Sequence, residues 1–202
     1  MFFVYSVLTN LTLIFSPIII LFRLFQKKED LVRYWEKFGF YSKKKLTGKL
    51  IWIHGASVGE ILSMVPLIEK LENNKKIKQI LVTSSTLSSS KILSTFKLKK
   101  TVHQFFPIDT HYHTQKFLDY WRPSLAIFVD SEIWPNMFKN IKKRKIWLML
   151  ANARITQKSF ERWKIFPKSA KKIFQSFDIC LSSSIRSSRY LRLLGANKIK
   201  FI

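Results

Sequence analysis

The chain has 202 residues, 47% of them hydrophobic and 24% charged, which fits one sizeable globular domain and excludes disordered, collagen-like and low-complexity classes. Lysine and arginine total 36 against 12 acids, a formal net charge of +24, so a polyanion is the natural neighbour: nucleic acid, an anionic bilayer face or a phosphorylated substrate. The single cysteine, Cys180, excludes an intramolecular disulfide framework and a multi-cysteine zinc site, and fits a reducing compartment.

The run Phe2–Phe22 carries no charge and matches the ~20 residues a helix needs to cross hydrocarbon. The first cations, Arg23, Lys27 and Lys28, follow it, which argues against a cleavable signal and places the rest of the chain in the cytoplasm. Residues 1–22 therefore read as a membrane anchor helix. Thr9, Asn10, Thr12 and Pro17 interrupt the run, and a helix lying in the interface is the alternative. Residues 23–48 read as a basic linker with a short helix.

From residue 49 to 202 short apolar runs alternate with stretches of helical length, the pattern of a parallel sheet covered on both faces. Strands are predicted at Leu50–His54, Gln79–Ser84, Val102–Pro107, Leu125–Val129, Ile146–Ala151 and Ile179–Ser182. Helices are predicted over Val58–Asn73, Ser88–Lys97, Thr110–Trp121, Pro135–Lys143, Gln157–Gln175 and Arg186–Leu194. The fold class is α/β, a Rossmann-like layer, and its chemistry belongs in the loops at the carboxyl ends of the strands.

Three such loops stand out. In His54-Gly-Ala-Ser-Val-Gly-Glu60 the glycines permit a tight strand-to-helix turn and the helix N-terminus favours anions. Ser57 and Glu60 also have the spacing of a capping box, in which serine bonds forward and glutamate bonds back. In Asp130-Ser-Glu-Ile-Trp-Pro-Asn136 two acids sit at a strand end before a helix-opening proline. Asp130 or Ser131 would serve there as a plain N-cap, but acids are scarce in this chain. Ala151-Asn-Ala-Arg154 brings a cation suited to phosphate or carboxylate. His111 and His113, with Asp109 nearby, lack the further ligands that would complete a metal shell, and no metal is expected.

Together with the hydrophobic N-terminus, Arg33-Tyr-Trp-Glu-Lys-Phe-Gly39, Pro107-Ile-Asp109, Leu194-Gly-Ala196 and the three loops resemble, in order and spacing, the amino-terminal half of the 3-deoxy-D-manno-octulosonate (Kdo) transferases of lipopolysaccharide biosynthesis. The resemblance implies one half of a GT-B glycosyltransferase on the cytoplasmic face of the cell inner membrane. Its first Rossmann-like domain would hold a lipid A precursor (lipid IVA), and its second the donor CMP-Kdo, with no separate cofactor. The chain ends at Ile202, about where the family's interdomain segment begins, so the donor half is expected from elsewhere, a separately encoded companion being one source.

By the same resemblance Glu60 is the general base. Asp130 falls on the transition-state-stabilising first acid of the family's Glu-x-Glu-x-Trp-Pro motif, one methylene shorter than the usual glutamate. Ser57, Gly59, Glu132, Trp134 and Arg154 are the implied substrate-binding residues. The basic excess then suits a phosphorylated lipid in an anionic leaflet, and between Lys139 and Lys200 only Glu161 and Asp178 oppose it. The competing readings are a non-catalytic membrane-tethered module binding anionic lipid or nucleic acid, and an inactive split-gene remnant. No RNA or DNA motif is recognisable, so nucleic acid is not an expected partner.

Overall fold

Strands form where apolar residues run without a polar break, since a parallel strand between two helical layers must bury both of its faces. The computed structural model describes residues 2–202, with side chains from Tyr5 onward. It contains β1 (Leu50–His54), β2 (Gln79–Ser84), β3 (Thr101–Phe105), β4 (Leu125–Val129), β5 (Trp147–Ala153), β6 (Ile179–Ser182) and β7 (Ile199–Phe201). All pair in parallel, in the order β3-β2-β1-β4-β5-β6-β7. The expected Rossmann-like sheet is present, extended by β7, which the apolar pattern did not predict.

Alternate residues of β1 feed opposite cores. Leu50 and Trp52 join Phe117, Phe128, Phe138 and Leu148 on one face. Ile51 and Ile53 join Ile61, Ile68, Val82 and Ile127 on the other. The Trp52 indole N–H donates to Thr83 Oγ1 at 2.9 Å, so the ring is buried without an unpaired donor.

The helices are α1 (Phe2–Phe25), α2 (Val58–Glu72), α3 (Leu87–Leu93), α4 (His111–Trp121), α5 (Pro135–Lys143), α6 (Gln157–Lys164), α7 (Pro167–Phe174) and α8 (Ile185–Leu194). Ser57, Thr86, Thr110, Thr156 and Ser184 each cap a helix by accepting a backbone N–H three residues on. The helix predicted over Gln157–Gln175 is two. Proline removes a donor and drives the residue before it out of helical geometry, and Phe166 sits at φ −126°, ψ 65° ahead of Pro167.

The segment between α1 and β1 carries many cations, yet two acids dock it. Buried Glu29 takes Arg23 at 2.5 Å and Lys37 at 2.6 Å. Glu36, also buried, lies in a short 3₁₀ helix, Tyr34–Phe38. It accepts Arg33 Nε at 2.9 Å, Arg33 Nη2 at 3.0 Å and the backbone N–H of Phe105 at 2.7 Å, together with the Ser42 hydroxyl. These bonds tie the segment to β3.

Candidate active site

The strand order reverses between β1 and β4, so the loops leaving these neighbours diverge and open a crevice at their carboxyl ends. The first loop runs through Gly55 into α2. Ser57 Oγ accepts the Glu60 N–H at 3.3 Å and donates to Glu60 Oε1 at 2.8 Å. Glu60 Oε2 accepts the Ala56 N–H at 2.8 Å. The predicted capping box is thus shifted: the glutamate bonds back to Ala56 rather than to the serine's own N–H, and each carboxylate oxygen receives one donor.

Glu60 is half-buried, and burial raises its pKa above the usual 4.5 against the opposing bonds from Ser57 and Ala56. The negative charges of Glu132 and Asp130 push it in the same upward direction. The three acids from the two loops therefore share one electrostatic neighbourhood.

Gly55 makes this placement possible. A Cβ there would lie 3.0 Å from Glu60 Cβ and 3.2 Å from Ile61 Cδ1, so α2 would have to back away from the strand. Gly55→Ala is expected to displace the Glu60 carboxylate, and in the transfer reaction proposed below to lower the rate by about tenfold or more. Its rate against wild type checks this, with thermal stability measured alongside to separate a displaced Glu60 from a loosened domain.

The second loop begins with Asp130 in a left-handed conformation at φ +60°, and Asn152 at the end of β5 has φ +49°. Short polar side chains tolerate this region best. The backbone joins the two loops, with the Asp130 N–H donating to Ala151 O at 3.0 Å and the Arg154 N–H donating to Asp130 O at 3.4 Å. Burial raises the Asp130 pKa, Arg154 opposes that rise and Glu132 adds to it. Asp130 Oδ1 is buried and has no hydrogen-bond partner among the described residues.

Glu132 Oε2 accepts the Trp134 indole N–H at 3.0 Å and lies 3.4 Å from His54 Nε2. Trp134 packs on Phe106 at 4.9 Å and immediately precedes Pro135 at the start of α5. Arg154 is exposed, near a cleft of about 470 Å³ lined by Arg154, Thr156, Ser184 and Arg186. Glu60, Asp130, Glu132 and Ser57 thus gather around the reversal point, with Trp134 as a wall and Arg154 at its margin.

Two residues had no assigned role in the sequence reading. His54 is fully buried, its Nδ1 2.9 Å from Thr83 Oγ1 and its ring stacked on Phe106 at 4.0 Å. It stands beside Glu132, its Nε2 3.4 Å from that carboxylate and without a hydrogen-bond partner among the described residues. Asp109 lies at the head of α5, where it accepts the backbone N–H groups of Asn136 at 3.1 Å and Met137 at 2.8 Å. Burial raises its carboxyl to about 7 against these bonds. His111 and His113 face different partners. Thr110 Oγ1 lies 2.7 Å from His113 Nδ1, and Asn140 Nδ2 lies 3.2 Å from His111 Nδ1.

Residues 32–202 match the family described as 3-deoxy-D-manno-octulosonic-acid transferase (kdotransferase). Over 191 residues the chain is 38% identical to a 3-deoxy-D-manno-octulosonic acid transferase of Rickettsia bellii, covering 95% of this chain and 46% of the relative. A Rickettsia felis protein of the same name is 42% identical over 146 residues, or 72% of this chain and 31% of the relative. One from Haemophilus influenzae is 29% identical over 197 residues, or 95% and 46%. The chain thus spans less than half the length of these curated relatives. In fold it is similar to UDP-GlcNAc 2-epimerase from Neisseria meningitidis, with a TM-score of 0.54 at 14% identity over 76% of this chain and 46% of that one.

Proposed function

This chain belongs to the 3-deoxy-D-manno-octulosonic acid (Kdo) transferase family through residues 32–202, and from that premise we propose that it forms the acceptor-binding domain of a GT-B glycosyltransferase. The reaction moves Kdo from CMP-Kdo to a primary hydroxyl of a lipid A precursor at the cytoplasmic face of the inner membrane. The observation that carries this reading is the gathering of Glu60, Asp130 and Glu132 at the reversal of strand order, where open α/β sheets hold their ligands.

Glu60 is the general base. As the acceptor oxygen attacks the anomeric carbon of Kdo, the hydroxyl proton passes to the Glu60 carboxylate, the bond to CMP breaks and CMP leaves with its electron pair. Burial and the two neighbouring acids raise the proton affinity of Glu60, moving it toward working pH as base catalysis favours. Asp130, with one buried oxygen unpartnered among the described residues, turns toward charge that develops at the reacting centre. Ser57 fixes the Glu60 rotamer, Glu132 and Trp134 form the wall, and Arg154 receives an anionic group of the acceptor or donor. Gly59, open and exposed at the first turn of α2, leaves room for the sugar to approach.

The acceptor needs a phosphate-binding, membrane-facing surface. The net charge of +24 and α1, which from Tyr5 to Phe25 has a mean hydropathy of 1.9 and the length to cross a membrane, support that part of the reading. The donor site is assigned to the part of the relatives that this chain does not span.

The test mixes the purified 202-residue chain, CMP-Kdo and a lipid A precursor, with and without the remaining carboxyl-terminal part of the Rickettsia bellii relative, and follows the lipid by mass spectrometry. The expected result is acceptor binding by the chain alone and Kdo addition after the complementing part is added. Holding two substrates in line is worth ~7–11 kcal/mol of the barrier, so a domain with one substrate site should be silent. Robust transfer by the chain alone would refute the assignment of the donor site, and absence of acceptor binding would refute the function of this domain.

A further inference from the structure

We propose that Asp109 and Asn136 form a latch that holds α1 along the α/β domain, so that this apolar helix lies in the plane of an anionic lipid surface instead of crossing it. The inference rests on the reading of the chain as a membrane-surface protein and assigns a role to two motif residues that the catalytic site does not use.

The first turns of α1 are pinned by polar contacts from residues more than a hundred positions away in sequence. The Tyr5 hydroxyl donates to Asp109 Oδ2 at 2.7 Å, and the Ser6 hydroxyl donates to Asn136 Oδ1 at 3.0 Å. Asn136 Nδ2 donates to Thr9 Oγ1 at 3.4 Å and to Asp109 O at 2.6 Å. The far end is pinned too. Arg23 meets Glu29, Glu29 meets Lys37, and the backbone O of Lys37 accepts the N–H of Ile108, the residue beside Asp109. Between the two ends Ser16 and Ile20 are buried, continuing the docked stripe at helical spacing.

Tyr5 and Arg23 are eighteen residues apart, about 27 Å along a helix, nearly the ~30 Å thickness of the hydrocarbon. If α1 crossed a bilayer, these residues would lie on opposite sides of it. Here both ends reach the same Ile108–Asp109 loop through short chains of contacts, and that loop belongs to the water-facing domain. The two arrangements exclude each other.

The opposite face of α1 is apolar and bare, with Leu8, Phe15, Ile18 and Phe22 exposed by 55%, 57%, 68% and 62%. After the helix, Leu31, Val32 and Trp35 are also exposed. Lys27 and Lys28 stand between the two apolar stretches and are exposed as well. An apolar helix face bordered by lysines, with a tryptophan nearby, has the chemistry of the boundary between acyl chains and anionic headgroups. In-plane docking also explains the hydroxyls of Tyr5, Ser6 and Thr9, which a spanning helix would carry into hydrocarbon. Asn136 directly follows Trp134 and Pro135, so the latch fixes the lipid-facing helix against the loop that carries Asp130 and Glu132.

The test places single cysteines at positions 8, 15 and 22, one heptad apart on the bare face, and attaches a nitroxide label to each in the full chain. Cys180 is fully buried and stays unlabelled. Power-saturation measurements on vesicles of phosphatidylethanolamine and phosphatidylglycerol (3:1) then give the depth of each label. The expected result is the same shallow depth, within a few ångströms, at all three positions. A deep position 15, about 10 Å below two shallow positions 8 and 22, would overturn the in-plane helix while leaving membrane attachment intact. Water-like accessibility at all three would overturn lipid contact altogether. The triple variant Tyr5→Phe, Ser6→Ala, Thr9→Val leaves the α/β domain untouched and is expected to shift the depth and mobility at position 8 but not at position 22. An unchanged profile in that variant would overturn the latch.

Discussion

Glu60→Gln, in an enzyme assembled from this domain and a donor domain, should lower the transfer rate by ~10²–10⁴-fold, the usual loss when a general base is removed. That corresponds to about 3–5 kcal/mol of barrier. Glutamine preserves shape and still accepts a bond from Ala56 or Ser57, so the turn should hold and thermal stability should change little. The pH profile supplies the second readout. The Glu60 pKa is raised above 4.5 by burial and by Glu132 and Asp130, and only the ionised form accepts the proton. Wild-type activity should therefore fall with acidification at a higher pH than an ordinary glutamate would give, and the variant should lack that limb. A Glu60→Gln enzyme that kept most of its turnover would reduce Glu60 to a helix cap.

The largest effect on stability is expected far from the chemistry, at Glu36. Its side chain is 2% exposed and Arg33's is 21% exposed, and the same carboxylate receives the Phe105 N–H at 2.7 Å. Glu36→Ala leaves a backbone donor of β3 without its acceptor and Arg33 without its counter-charge, held by Ser90 Oγ and the backbone O of His103. Breaking a buried pair from one side typically costs ~3–5 kcal/mol, and in a chain of this size that lowers Tm by about 6–20 °C. Calorimetry of Glu36→Ala against Glu36→Gln checks the cause, because glutamine keeps an acceptor for the Phe105 N–H and should recover part of the loss. If Glu36→Ala melts within about 2 °C of wild type, the pair does not hold the N-terminal segment to the sheet.

The sheet was largely legible because Leu-Ile-Trp-Ile-His and Leu-Ala-Ile-Phe-Val are continuous apolar runs, and only doubly covered strands need such runs. β7 escaped because Ile199-Lys-Phe201 is three residues long with a lysine at its centre, too short for periodicity to register. The break between α6 and α7 was present as Pro167, whose helix-ending signal was overridden by the helical spacing around it.

At the site, Asp130 and Glu132 could be found because acids are rare in this chain and these stand at a strand end, whereas Glu60 read from its spacing as a capping box and owed its role to the family resemblance. Their mutual influence depends on β1 and β4 being neighbours, and that adjacency is a property of strand order. The same limit hid the role of Asp109. Its partners Tyr5 and Asn136 lie far apart in sequence, and Thr9 had read only as an interruption of an apolar helix.

The adjacency of β1 and β4 also sets a schedule for synthesis. The β1–β2–β3 half can pair as soon as it leaves the ribosome, but the other edge of β1 waits roughly 70 residues for Leu125–Val129, about 4–14 s at ~5–20 residues per second. During that interval Leu-Ile-Trp-Ile-His presents a bare, apolar row of backbone donors and acceptors, the kind of edge that pairs with the wrong chain. The crevice beside Glu60 and Asp130 takes shape only when β4 docks, with β5, β6 and β7 still to follow, and the nascent chain is most in need of chaperone cover just before that docking.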